Sequence, residues 1–387
     1  MQNDIELSSP ITTQGKLTPT ELKIINRKNV YNYIYLSKCT SKQDIANALN
    51  LSLPTVTQHL SSFIDAGLVE KRGEYESTGG RKAQIIRCNA MARVSIGVEI
   101  LKEFVQIVAI DLYGNVLKED ILPMPFSNED HYYHELGTRI NTFAHSLHCP
   151  PDNLLGVCIA VQGLISPDGE TITFSEILRC TGVKRETYQQ YIDAPCSLVH
   201  DTEAAALAEI KDNPNLSNAI YIALNRNFGG AIILNSQVLR GKVLSGSIIE
   251  HMCISPDGPT CYCGKRGCIE TFCSADALRN SAQMELVDFF NLVHAGDSRC
   301  SNIWNEYLRY LALAIDNIRM ILDYDFILGG YLIQFMNEHD IAILTNYVKE
   351  QCAFDTSSFK FCISKLGSNS AARGAAISLV EHFLKSI

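Results

Sequence analysis

The stretch CYCGKRGCIE, beginning at Cys261, places three thiols within eight residues: Cys261, Cys263 and Cys268, with Glu270 close behind. Thiols so close together can grip a soft metal ion, shuttle electrons or close disulfides. Gly264 and Gly267 let the intervening backbone curl, so the three sulfurs can be aimed at one point. Cys253 and Cys273 flank the group. Most of the other cysteines, of 14 in all, stand singly in apolar runs such as GVCIAV around Cys158 and read as small buried hydrophobes.

A chain of 387 residues, 46% of them hydrophobic, is long enough for two or three domains with sizeable cores and too apolar for a disordered polymer. No apolar run approaches the roughly 20 residues of a membrane-spanning helix. The opening MQNDIELSSPITTQGK lacks the basic start and apolar block of a signal peptide, so a cytoplasmic chain is expected. In a reducing compartment, disulfides are not the expected use of these thiols. The net charge of −9 is uneven: residues 1–90 carry 11 basic and 8 acidic side chains, net +3, and the remainder carries 22 and 34, net −12. A basic segment on an acidic body is the asymmetry of a nucleic-acid-binding head.

The head, residues 18–90 after an expected flexible stretch 1–17, has the pattern of a winged helix. Leu22, Ile25, Val30, Tyr33 and Ile34 fall near helical spacing, with Thr18 or Thr20 available as cap beside Pro19. Thr40 or Ser41 can start a second helix carrying Ile45, Ala46 and Leu49, and Asn50 suits the turn. Ser52 can start a third, with Val56, Leu60, Phe63 and Ile64 on one face and Gly67 as its stop. Two short helices on a tight turn make a helix-turn-helix. The other face of the third helix offers Pro54, Thr55, Thr57, Gln58 and Ser61, small and polar groups suited to base edges and phosphates in a major groove. LVEKRGEYESTGGRKAQIIR reads as strand, turn and strand, a wing with Arg81 and Lys82 at its tip for a minor groove.

From residue 91 strands and helices alternate, the pattern of α/β layers. VSIGVEI and VQIVAIDLYGNVL read as a strand pair; AIYIALNRNFGGAIILNSQVL repeats that theme as two strands about a glycine turn. The repetition predicts two similar lobes, about 91–200 and 201–387, around a cleft. The run SIIEHMCISPDGPTCYCGKRGCIETFCSADAL then resembles the signature of the ROK family of bacterial repressors and sugar kinases. In that signature a Gly-Glu-Ile-Gly-His motif precedes Cys-x-Cys-Gly-x-x-Gly-Cys-(Leu/Ile)-Glu by ten residues from the His, as His251 precedes Cys261. The segment ending at Asp201, Gly329–Gly330 and the closing AARGAA follow in the family's order, so the resemblance spans about residues 18–385. It implies an actin-like, ribonuclease-H-type two-lobed body behind the winged helix.

The resemblance adds His251 to the three thiols. Three thiolates and one imidazole form a soft four-ligand site over 251–268, the preference of Zn²⁺; with four protein ligands the shell is closed, so the expected zinc is structural. A Cys-x-x-Cys redox motif is absent, and an iron–sulfur cluster would have to recruit Cys253 or Cys273.

The family's kinases carry Asp-x-Gly-Gly-Thr-Lys in the first strand pair. Here Glu99 takes the Asp position, and Leu101 and Lys102 replace both glycines. Their second loop, Gly-Thr-Gly-x-Gly-Gly-Gly, reads Asn225 to Ala231 without its leading glycines. Backbone amides cradle phosphates only where side chains leave room, so no kinase activity is expected.

Asp201 falls at the kinase base, and Glu270 and His251 at sugar-contacting positions. Ile248 stands where the family has Glu, Glu250 where it has Gly, and Glu176-Ile177-Leu178 replaces a Pro-Asn-Leu loop. Asp201, Glu250, Glu270 and His251 are thus the candidate ligand contacts. The expected protein is a non-enzymatic repressor of carbohydrate genes, a homodimer or homotetramer that binds an imperfect DNA palindrome and a small carbohydrate. The alternatives are an active kinase with an added head and a DNA-binding protein that needs no ligand.

Overall fold

The computed structural model describes residues 18–74, 83–242, 248–354 and 359–387. The chain divides into two compact units, one holding the residues up to Ala92 with Phe383–Ile387, the other Arg93–His382. Arg81, Lys82 and the stretch 1–17 lie outside the described residues.

The first unit is built by three well-capped helices, α1 (Pro19–Ser37), α2 (Lys42–Leu49) and α3 (Leu53–Asp65), and a hairpin, β1 (Val69–Glu74) with β2 (Gln84–Cys88). Thr18 and Glu21 form a capping box on α1, with Pro19 in the first turn; Ser41 and Asp44 do the same for α2. Ser52 caps α3 through the Thr55 amide. Asn50 ends α2 in the left-handed conformation, which turns the chain into α3, and Gly67, at φ +68°, leads away from α3. Val30, Ile34, Ile45, Val56, Leu60 and Phe63 form the core. Leu22 and Ile25, expected on the apolar face of α1, are instead 48% and 39% exposed, and the buried face of α1 is its second half, at Val30, Tyr31, Ile34 and Tyr35.

The second unit begins with β3 (Val94–Ile100), β4 (Phe104–Asp111), β5 (Val116–Pro123), α4 (Asp130–His145), β6 (Leu154–Val161), β7 (Leu164–Ile165), β8 (Ile172–Phe174), α5 (Arg185–Gln189), β9 (Cys196–His200) and α6 (Asp201–Asp212). It continues with β10 (Ala219–Leu224), β11 (Phe228–Leu234), β12 (Gln237–Val238), α7 (Glu270–Cys273), α8 (Ala275–Ala282), α9 (Leu286–His294), α10 (Ser298–Arg319), β13 (Phe326–Gly329), α11 (Glu338–Gln351), β14 (Phe361–Ile363) and α12 (Ser370–Ser386). Two five-stranded sheets result, in the orders β5-β4-β3-β6-β9 and β12-β11-β10-β13-β14. Each has an antiparallel meander at one side and two parallel strands at the other, so the second sheet repeats the topology of the first.

Each sheet has its own core of large aliphatic and aromatic side chains. A third cluster, mostly alanine, joins the two: Ala160, Ala204, Ala206, Ala223, Ala371 and Ala375 let α6 and α12 approach both sheets closely. Gly97 belongs to this contact, since a Cβ there would come within 1.8 Å of the Ala372 carbonyl oxygen. The chain's last helix therefore packs on β3 of the first sheet, rather than belonging wholly with the second lobe as its place in the sequence suggests. A second difference concerns Gly229 and Gly230. They lie inside β11, and the turn is Asn225 to Asn227. Their role is close approach: a Cβ on Gly229 would meet Thr202 Cγ2 at 2.4 Å, and one on Gly230 would meet Ile249 Cδ1 at 2.2 Å.

Candidate functional site

In the second unit, α6 starts directly at the end of β9, so Asp201 stands where a strand of the first sheet meets a helix N-terminus. Its Oδ1 accepts from the Thr202 amide at 2.8 Å and lies 3.2 Å from His200 Nδ1. Burial pushes its carboxyl up, opposed by His200 and the Thr202 amide. A single helical turn, Ile249–His251, brings Glu250 and His251 to the same cavity of about 570 Å³, which Asp201, Thr202, Tyr262 and Lys265 also line. Glu250 is 8% exposed, and its Oε2 has no hydrogen-bond partner among the described residues. Burial, reinforced by Asp201 and Glu270, lifts it to about 8.

Glu270 departs from expectation. It is absent from the cavity lining, and both its oxygens are engaged: Oε1 accepts from Asn227 Nδ2 at 2.9 Å and Oε2 from the Phe228 amide at 2.6 Å. Burial lifts its carboxyl to about 7 against these two donors. Glu270 thus braces the β10–β11 turn, whose Asn227 and Phe228 line the cavity. The same turn accepts the Ala275 and Asp276 amides on the carbonyls of Asn225 and Arg226, and Asn225 Oδ1 accepts from the Tyr331 amide at 2.7 Å.

The thiol loop closes through backbone bonds between Cys261 and Lys265 and between Ile254 and Gly267. His251, Cys261, Cys263 and Cys268 each present a ligand atom within 4.8 Å of the others, so the cluster could hold a metal ion. Cys263 and Cys268 sulfurs are 3.7 Å apart, and His251 Nδ1 is 3.6 Å from Cys261 Sγ. Cys253, though bridged to Cys268 through the backbone, is exposed and outside the cluster, as is buried Cys273. Tyr262 packs edge-on to His251 and also lines the cavity, and the signal for it in the sequence is an aromatic between two candidate ligands, Cys261 and Cys263.

In the first unit, α3 turns Val56, Leu60 and Phe63 inward and leaves Pro54, Thr57, Gln58 and Ser61 exposed, with Thr55 half-buried. Thr55 is bonded to the cap Ser52, and Thr57 Oγ1 donates to the Leu53 carbonyl at 2.6 Å, so these hydroxyls are partly engaged. Lys42, Gln43 and Lys71 flank the same groove as Thr57 and Ser61, cations and donors that sequence spacing did not single out. Gln58→Ala is expected to relax base preference at one position of a bound DNA site, by about 1–3 kcal/mol. Binding curves over a set of single-base operator variants check this.

A two-lobed body of duplicated sheets, fused to a winged helix-turn-helix, is the class of protein this architecture defines. The chain belongs to the ROK family, whose family model matches residues 95–382; the model described as winged helix-turn-helix DNA-binding matches residues 25–70. The xylose repressor of Bacillus subtilis is 25% identical over 383 residues, 95% of this chain and 98% of that one. The transcriptional dual regulator NagC of Escherichia coli is 27% identical over 260 residues, 66% of this chain and 64% of its own length. Among solved structures, a ROK family transcriptional regulator described as a homolog of the E. coli MLC protein covers 94% of this chain and 96% of its own, with a TM-score of 0.78 at 21% identity. A ROK family glucokinase from Streptomyces griseus, solved with glucose and AMPPNP, covers 74% of this chain and 98% of its own, with a TM-score of 0.64 at 18% identity. These two likenesses establish the actin-like fold of the body.

Proposed function

We propose that the chain is a DNA-binding transcriptional repressor of carbohydrate-metabolism genes, whose kinase-like body senses a sugar or sugar derivative without phosphorylating it. The observation that carries this reading is the union, in one chain, of a winged helix with a cleft that keeps Asp201, Glu250 and His251 together while its phosphate loops carry side chains. Two relatives named as regulators, one of them matched over nearly its full length, support the same reading. Ligand in the cleft would act by favouring one arrangement of the body over another, and so change DNA affinity. A homodimer or homotetramer would pair two heads on an imperfect palindrome.

The loops support an absence of kinase chemistry. The Phe228 amide is engaged by Glu270 and the Tyr331 amide by Asn225, so neither is free to hold a phosphate. At the β3–β4 turn the Leu101 amide donates to the Phe104 carbonyl, and Leu101 and Lys102 stand where the family's kinases carry the two glycines of their first phosphate loop. A coupled assay for ADP release over a panel of pentoses, hexoses and hexosamines is expected to give no turnover above background. Turnover abolished by Asp201→Asn would establish a kinase instead.

The cluster of His251, Cys261, Cys263 and Cys268 fits Zn²⁺. The 3.7 Å separation of Cys263 and Cys268 sulfurs is close to the edge of a tetrahedron with zinc–sulfur bonds of about 2.3 Å. The ion would be structural: by binding the three sulfurs as thiolates together with His251 it would fix the loop that carries Tyr262 and Lys265 at the cavity.

A further inference from the structure

The cavity at Asp201 mixes two chemistries. Two polar side chains that line it, Glu250 and Thr202, are little exposed, at 8% and 6%. A sugar hydroxyl, both donor and acceptor, can pair with a carboxyl or with a hydroxyl. With Asp201 they form one polar end.

The rest of the lining includes Leu164 from β7, Phe174 from β8, Ile177 just beyond it, and Ile248 and Met252 on either side of the Ile249–His251 turn. None can return a hydrogen bond to a hydroxyl, so a polyol pressed against them would lose water without compensation. Phe174 is 36% exposed and Ile177 and Ile248 are half-buried, and Gln162, Ser175 and Glu176 line the cavity beside them. At about 570 Å³ the cavity lies within the roughly 300–1,000 Å³ that encloses drug-sized ligands, room for more than one pyranose ring.

We propose that the cleft takes a glycoside with an apolar, aromatic-sized aglycone, its sugar ring at Asp201, Thr202 and Glu250 and its aglycone against Phe174, Ile177 and Ile248. This rests on the reading of the body as a carbohydrate sensor and narrows the class of its ligand.

The test is calorimetric titration of the full chain with p-nitrophenyl glycosides of glucose, galactose, xylose and N-acetylglucosamine, each beside its free parent sugar. At least one aryl glycoside is expected to bind about tenfold or more tightly than its parent, in line with burial of an aromatic group. Phe174→Ala and Ile248→Asn are expected to bring its affinity down toward that of the parent sugar, and Asp201→Asn to weaken both. A parent sugar that binds as tightly as its aryl glycoside overturns the aglycone assignment and leaves the sensor reading standing. So does an aryl preference that survives both Phe174→Ala and Ile248→Asn. No binding by either class removes the sensor reading and this assignment together.

Discussion

Cys263→Ser is expected to strip the bound metal from the body and to lower its stability by several kcal/mol. The serine hydroxyl is a poor ligand for a soft ion, and the remaining Cys261, Cys268 and His251 would leave one position to water. Metal binding to such a site is also folding energy, because the unfolded chain does not hold its ligands together. The loss falls on a well-defined part of the molecule. Cys261 and Cys268 are 4% and 0% exposed, so without an ion these thiols stay in an apolar setting that pushes the Cys261 thiol up to about 12. Elemental analysis of purified wild type and variant checks the first half and thermal melting the second. Treating wild type with a chelator should reproduce the variant's melting temperature. Full metal occupancy in Cys263→Ser would remove that thiol from the ligand set.

The second large effect concerns Glu99, which takes the place of a phosphate-loop acid and has become a buried side chain. It is 4% exposed, its Oε2 has no partner among the described residues, and burial, with the nearby Asp201 charge, moves it from its ordinary 4.5 to about 8. Gln106 lies directly opposite on β4 with an unpartnered Oε1, the acceptor that a protonated Glu99 could use. The folded protein thus keeps a proton that the unfolded chain releases above pH 4.5. The stability this proton supplies is complete below pH 4.5, declines from there to about pH 8, and is gone above it. At neutral pH the penalty is roughly 3 kcal/mol. Glu99→Gln keeps the shape and removes the titration. Urea midpoints from pH 5 to 9 should show the variant gaining on wild type as pH rises. Parallel curves would mean that Glu99 is charged in the folded state.

Much of this molecule was legible because short-range rules govern it. Thr18, Ser41 and Ser52 cap the three helices of the head, and Gly67 follows the third, because orphan amides at a helix start and a left-handed residue at its end select few side chains. The three thiols were legible for the same reason, since the loop's own glycines bring them together, whereas His251, ten residues before Cys261, was legible only through the family resemblance.

What the sequence hid depends on contacts between distant segments. Nothing local marks Glu270 as the residue that binds Asn227 and Phe228, 43 and 42 positions earlier. Gly229 and Gly230 look like a turn because glycine favours turns, yet Thr202 and Ile249 crowd the strand they occupy. The packing of α12 on β3 joins residues about 280 positions apart, as in the bond from Ser95 Oγ to the Ala376 carbonyl at 2.9 Å. The apolar part of the cleft comes from two separate segments, 164–177 and 248–252, whose meeting no periodicity could announce.

The most direct test of the central claim is the affinity of the full chain for DNA from upstream of its own gene, measured by fluorescence anisotropy with and without each member of a sugar and glycoside panel. Specific binding to that DNA is expected, with a change of about tenfold or more on adding at least one carbohydrate, and loss of that response, with binding retained, in Asp201→Asn. Binding that no carbohydrate alters, or a response that persists in Asp201→Asn, would contradict a sensor built on this cleft.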